Sequence, residues 1–260
     1  MHNSAPPGET DSNIPQCPRC GQQPGEAGGY CPHCDEVQLL PDIDDALKKQ
    51  QRLLVLASFF GIHLAVCLIS NFTSYTRGLA PLLTVDAVLS VFTLLYVILL
   101  RKELKTLLRW TNFSLVKTAG YAATAVLAAV TVHFAVKWLN KTIFDADAYY
   151  YYAFSHLQYS KLVTILVVAL QPAIFEELAF RGVLQEGLIK VTDKKQAVFT
   201  VAFLFTILHM SFISFFWLLP FSLWLGYIRL KEETIWYGVL IHFIFNTTAC
   251  FLEFFELNLF

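Results

Sequence analysis

Charge is scarce in this chain. Only 15% of its 260 residues are Asp, Glu, Lys or Arg, where water-soluble domains carry about 25%. The 19 basic and 20 acidic residues nearly cancel. No broad basic face is therefore available to neutralise phosphates, and no nucleic-acid partner is expected. The sequence also lacks a G-x-S-x-G elbow and an H-E-x-x-H motif, and no Cys stands within four residues of His209 or His242. Serine, zincin and thiol mechanisms thus have less support. No internal repeat is visible, which weighs against a transporter built from repeated halves. What is abundant is apolar: 56% of the residues are hydrophobic and 23 are Phe. The composition is that of an integral, multi-pass membrane protein in contact with the lipid bilayer.

The amino-terminal region is of another kind. Residues 1–16 are rich in Pro, Gly, Ser and Asn without periodicity, and disorder is expected there. Residues 17–35 carry CPRC and CPHC separated by ten residues. Cys17, Cys20, Cys31 and Cys34 can surround one tetrahedral Zn²⁺, and the segment has almost no hydrophobic core of its own. A structural zinc ribbon is favoured over two disulfides. Arg19 is the only Lys or Arg between the first and last of these cysteines, so contact with a cytoplasmic protein, or control of access, is the expected role. Residues 36–52 read as a charged linker or short amphipathic helix.

Beyond the linker, apolar segments lie at about 53–71, 80–100, 118–139, 161–189, 196–210, 212–229 and 234–255. They predict an all-α polytopic membrane fold with about seven transmembrane helices. The fifth and sixth meet so tightly at Met210–Ser211 that a hairpin short of a full crossing is one expectation. Residues 53–115 form an additional transmembrane hairpin, and 116–256 the core. Lys and Arg gather before the first helix, after the second, after the fourth and after the sixth. All four clusters share one side if there are seven crossings and the N-terminus is cytoplasmic.

The segment LQPAIFEELAFRGVL, residues 170–184, places Glu176, Glu177 and Arg181 in apolar surroundings. Ionisable groups there are costly and are expected to face the protein interior or a wet cavity. Glu177 and Arg181, at i and i+4, can pair. Glu176 is rotated by about 100° and lacks that partner. A paired carboxylate is a poor base, whereas an unpaired, partly desolvated one can take a proton from water. Pro172 frees the carbonyl of Val168 and is expected to bend the helix. His209 ends FLFTILH, and His242 and Asn246 lie one turn apart in GVLIHFIFNTT. At about 1.5 Å per residue, Glu176 lies ~21 Å from Lys190, His209 ~20 Å from Gln196, His242 ~12 Å and Asn246 ~18 Å from Thr234. They share one band of depth. His63 and His133, each alone in an apolar run, are expected to make structural hydrogen bonds, and Cys67 and Cys250 to be small buried hydrophobes. A metal on Glu176, His209 and His242 stays open on spacing alone.

EELAFR, FTILH and HFIFN fit the EExxxR, FxxxH and HxxxN motifs. Over roughly residues 120–255 the chain resembles the CAAX-protease and bacteriocin-processing (CPBP, or Abi) family of intramembrane glutamic endopeptidases. The resemblance implies hydrolysis of a peptide bond in a membrane-associated or lipidated protein or peptide. It assigns water activation to Glu176 and His209, the oxyanion site to His242 and Asn246, and the supporting motif positions to Glu177 and Arg181. No catalytic metal is expected, although such enzymes are also described as metalloendopeptidases. Phe180 stands where many members have Ala. A non-catalytic membrane scaffold or immunity protein of the same fold is the alternative.

Overall fold

The computed structural model describes residues 20–22, 30–31, 34, 36–37, 41–72, 79–110, 113–144 and 149–259. The expectations for residues 1–16 and for Cys17 fall outside that set. The chain divides into two compact units between Arg52 and Leu53. In the first, strands β1 (Tyr30–Cys31) and β2 (Glu36–Val37) pair antiparallel, with Tyr30 opposite Val37 and Cys31 opposite Glu36. Cys34 lies in the turn between them.

The second unit is helical. The apolar segments form α1 (Pro41–Phe72, which starts in the first unit), α2 (Leu79–Leu99), α3 (Leu115–Phe144), α4 (Ser160–Ile189), α5 (Lys194–Leu208), α6 (Phe212–Glu232) and α7 (Trp236–Glu256). Among the described residues, six helices are long and apolar enough to cross a membrane, and α5 is not one of them. Its 15 residues reach only about 22 Å, against a hydrocarbon core of ~30 Å. The seven apolar segments therefore resolve into six candidate spans and one short helix that turns back into α6. Asp193 starts α5 by accepting hydrogen bonds from the Lys195 and Gln196 amides, both at 2.9 Å. Met210 makes the turn with a left-handed backbone, φ 46°, a conformation that costs a non-glycine residue about 1 kcal/mol or more. Ser211 then caps α6 by accepting from the Ser214 amide.

One end of the second unit gathers its basic clusters. Lys190 pairs with Glu103 and Glu186, and Arg229 pairs with the same Glu186. The segment after α2 is thereby joined to the ends of α4 and α6. Thr234 and Trp236 add hydrogen bonds to the carbonyls of Leu107, Leu108 and Arg109. Lys117 of α3 pairs with Glu232 at 2.7 Å.

Two apolar clusters hold the helices. Phe59 of α1, Phe180 and Leu184 of α4, and Val201 and Phe205 of α5 belong to one. Ala125 and Ala129 of α3 pack with Leu225 of α6 and with Ile241 and Phe245 of α7 in the other. The two alanines, one turn apart, let α3 lie close along α7, as small residues do between membrane helices. Large apolar side chains such as Ile69, Leu127, Phe199, Phe216 and Phe255 point outward, as a lipid-facing surface requires.

Helix α4 is irregular where the sequence concentrates its polarity. Its hydrogen bonds widen to i→i+5 over Ile165–Leu170 and again over Glu177–Leu184, on either side of Pro172. Such π segments interrupt α-helices mostly at functional sites.

Candidate functional site

The adjacent acids of α4 meet opposite environments. Glu177 is 0% exposed, and its Oε1 accepts from Arg181 Nη1 at 2.9 Å. The same oxygen accepts from His242 Nδ1 at 3.2 Å. Arg181, also fully buried, donates from Nη2 to the Ser222 hydroxyl at 2.9 Å and to its carbonyl at 3.2 Å. Its guanidinium carbon lies 4.9 Å from the Phe205 ring centroid. One turn along, Gln185 donates to the Gly226 carbonyl at 2.9 Å. Arg181 and Gln185 thus engage Ser222 and Gly226, each pair at i and i+4 on facing helices. Two charges out of water are tolerated here because both are paired and hydrogen-bonded.

Glu176 turns the other way. Its side chain keeps 32% of its exposure, and its nearest ion-pair contact is His242 Nε2 at 3.9 Å, too long for a hydrogen bond. It faces a cavity of about 660 Å³ that is also lined by His209, His242 and Asn246. The four residues that sequence reasoning singled out therefore converge on one space.

The hydrogen bonds around that space orient the rings. His209 Nδ1 donates to the Phe205 carbonyl at 2.9 Å, because a carbonyl can only accept. Nε2 is left as the other functional nitrogen. His242 Nδ1 donates to Glu177, which leaves its Nε2 as the nitrogen near Glu176. A carboxylate that fixes an imidazole in this way sets which nitrogen does chemistry. Asn246 Nδ2 donates one hydrogen to the Val168 carbonyl at 3.0 Å. That carbonyl precedes Pro172 by four residues, the position that a proline leaves without its usual donor. The carbonyl that faces Pro172 is thus the one that anchors Asn246.

Several partners have no signal in a single sequence. Gly238 is one: a Cβ there would stand 2.7 Å from Glu177 Oε2, so the bare backbone makes room for the buried carboxylate. Ser222 is another. Asp86 of α2 lines the cavity too, and the adjoining turn is fastened to α4 by Gln171 Nε2 donating to Ser90 at 2.9 Å. The two histidines expected to be structural both make hydrogen bonds. His63 bonds the Phe59 carbonyl and Thr93, at 2.9 and 3.2 Å. His133 bonds the Glu256 carboxylate at 3.1 Å and lines the far end of the cavity. Cys250 is buried and Cys67 partly so.

At that far end Lys137 also pairs with Glu256, at 2.7 Å. Glu253 accepts the amides of Tyr150 and Tyr151, at 2.7 and 3.1 Å. Among the described residues, no three His, Cys, Asp or Glu side chains are arranged to hold a metal ion.

No curated protein and no solved structure matches the chain. Residues 158–248, which carry all three motifs, match the family model described as Rce1-like: type II CAAX prenyl endopeptidase Rce1-like. The part of the chain that holds Glu176, His209, His242 and Asn246 is therefore similar, at family level, to the CAAX proteases.

Proposed function

We propose that the chain is an intramembrane glutamic endopeptidase acting on a membrane-associated, lipidated protein or peptide. Glu176, with His209, takes a proton from a cavity water, and the resulting hydroxide attacks the scissile carbonyl. The developing oxyanion receives hydrogen bonds from His242 Nε2 and from the second Nδ2 hydrogen of Asn246. To donate from Nε2 while Nδ1 serves Glu177, His242 must be the imidazolium, and the buried Glu177 carboxylate stabilises that cation. Glu177 and Arg181 fix the geometry and do not touch the substrate.

The observation that carries this reading is the convergence of Glu176, His209, His242 and Asn246 on one cavity, with Glu176 a carboxylate that accepts no hydrogen bond from the described residues and stands 3.9 Å from His242 Nε2. The family-level match supports the reaction class. Its test is Glu176→Ala and His209→Ala in a purified-protein assay with a quenched-fluorescent farnesylated CAAX peptide. Each variant is expected to lose at least about 10²-fold in kcat. Wild-type turnover in both would overturn the reading.

The cytoplasmic position of the N-terminus and the zinc ribbon belong to the same proposal. Support for the ribbon comes from Cys31 ending β1 and Cys34 lying in the turn before β2. Gly21, directly after Cys20, takes the left-handed backbone of a tight turn, φ 70°. The ribbon's partner is a cytoplasmic protein. Removing residues 1–45 should abolish its capture and leave peptide cleavage by the membrane unit intact.

A further inference from the structure

Helix α2 contributes a residue that the three motifs do not contain. Asp86 is the only charged residue in Leu79–Leu99. An ionisable group inside an apolar helix is costly and calls for a partner or a task. Among the described residues, Asp86 has no ion pair or hydrogen bond to account for it, and it lines the same cavity as Glu176. The contact between Ser90 and Gln171 holds this face of α2 against α4.

Besides Lys137, Cys250 and the phenols of Tyr149 and Tyr150, the cavity's other titratable groups are imidazoles and carboxylates that are already engaged. His209 and His242 each spend Nδ1 on a fixed acceptor, Phe205 and Glu177 respectively. At the far end, Glu256 is taken by His133 and Lys137, and Glu253 by two backbone amides. Two carboxylates of the cavity remain, Asp86 and Glu176. Two carboxylates in one site can divide the work of acid and base between them.

We propose that Asp86 carries the proton that the leaving amine takes, while Glu176 accepts the proton of the attacking water. The step rests on the endopeptidase reading above. Its balance is simple. Water gives one proton to Glu176, and its hydroxide bonds to the carbonyl carbon. The C–N bond breaks, and the departing nitrogen takes the proton of Asp86. A carboxylic acid and an amine leave, and the proton on Glu176 returns to Asp86 through cavity water. One carboxylate thus acts as base and the other as acid.

The test uses the full-length protein in detergent with two probes: the farnesylated CAAX peptide, and its depsipeptide in which the scissile amide is an ester. An alkoxide leaves with far less need of a proton than an amine does. Asp86→Asn is expected to lower kcat on the amide by about 10²-fold with KM within about twofold, and to abolish the basic limb of its pH profile. On the ester the same variant should lose less than about fivefold. Asp86→Glu, which keeps a carboxyl group, should retain the basic limb. Equal losses on amide and ester would reduce Asp86 to a structural residue, and an unchanged amide rate would also overturn the proposal. Glu176→Gln separates the two levels. If it cleaves both probes at the wild-type rate, the endopeptidase reading itself fails, and the role of Asp86 with it.

Discussion

The two ends of the cavity are built from similar side chains and use them differently. At the far end, Glu253 and Glu256 are occupied by the Tyr150 and Tyr151 amides, His133 and Lys137. Those contacts tie the loop before α4 and the end of α3 to the end of α7. At the inner end, Glu177 Oε1 is held by Arg181 and His242, while its Oε2 is buried with no hydrogen-bond partner among the described residues. Among them its neighbour Glu176 accepts no hydrogen bond, and neither does Asp86, which lines the same cavity. Polarity inside an apolar bundle is therefore no sign of chemistry by itself. On the proposed reading, what separates a clamp from a reactive acid is whether a hydrogen bond already holds the carboxylate.

The comparison can be broken at several points. Arg181→Ala should have the largest effect on the fold, because it strips the buried Glu177 carboxylate of its guanidinium and leaves His242 alone against it. About 3–5 kcal/mol of stability should be lost, seen as a large drop in thermal midpoint in detergent. The double variant Glu177→Leu, Arg181→Met should lose much less, since both charges go together. Gly238→Ala comes next. Its methyl group would enter the space of Glu177 Oε2, and about 1–3 kcal/mol should be lost, with a fall in kcat as His242 shifts. Lys137→Ala should have the smallest effect. Its side chain is 41% exposed, so the ion pair is worth about 1 kcal/mol or less, and cleavage should stay within about twofold of wild type.

Local spacing made part of this arrangement legible. The pairing of Glu177 with Arg181 follows from four residues of helix, and the freed Val168 carbonyl follows from Pro172. The identity of its donor, Asn246, does not, because it comes from α7 and the match is tertiary. Ser222, Gly238 and Asp86 escaped for the same reason. A serine, a glycine and one acid in apolar helices acquire meaning only when α4 is set beside them. The number of spans blurred for another reason: hydropathy registers that α5 is apolar, while its length decides that it falls short of a crossing. The i→i+5 segments of α4 left no mark in composition either, and they flank the proline where the polar residues begin. In the amino-terminal unit the paired cysteine motifs remain the main guide, with Cys17 outside the described residues.

The central claim is that an unoccupied carboxylate, rather than an intramembrane carboxylate as such, does the chemistry. The most direct measurement compares Glu176→Gln with Glu256→Gln, each purified and assayed on the farnesylated CAAX peptide alongside thermal unfolding. The account predicts that Glu176→Gln unfolds like wild type and loses at least about 10²-fold in kcat, while Glu256→Gln loses some stability and less than about twofold in kcat. Equal losses of turnover in the two variants, or none in Glu176→Gln, would contradict it.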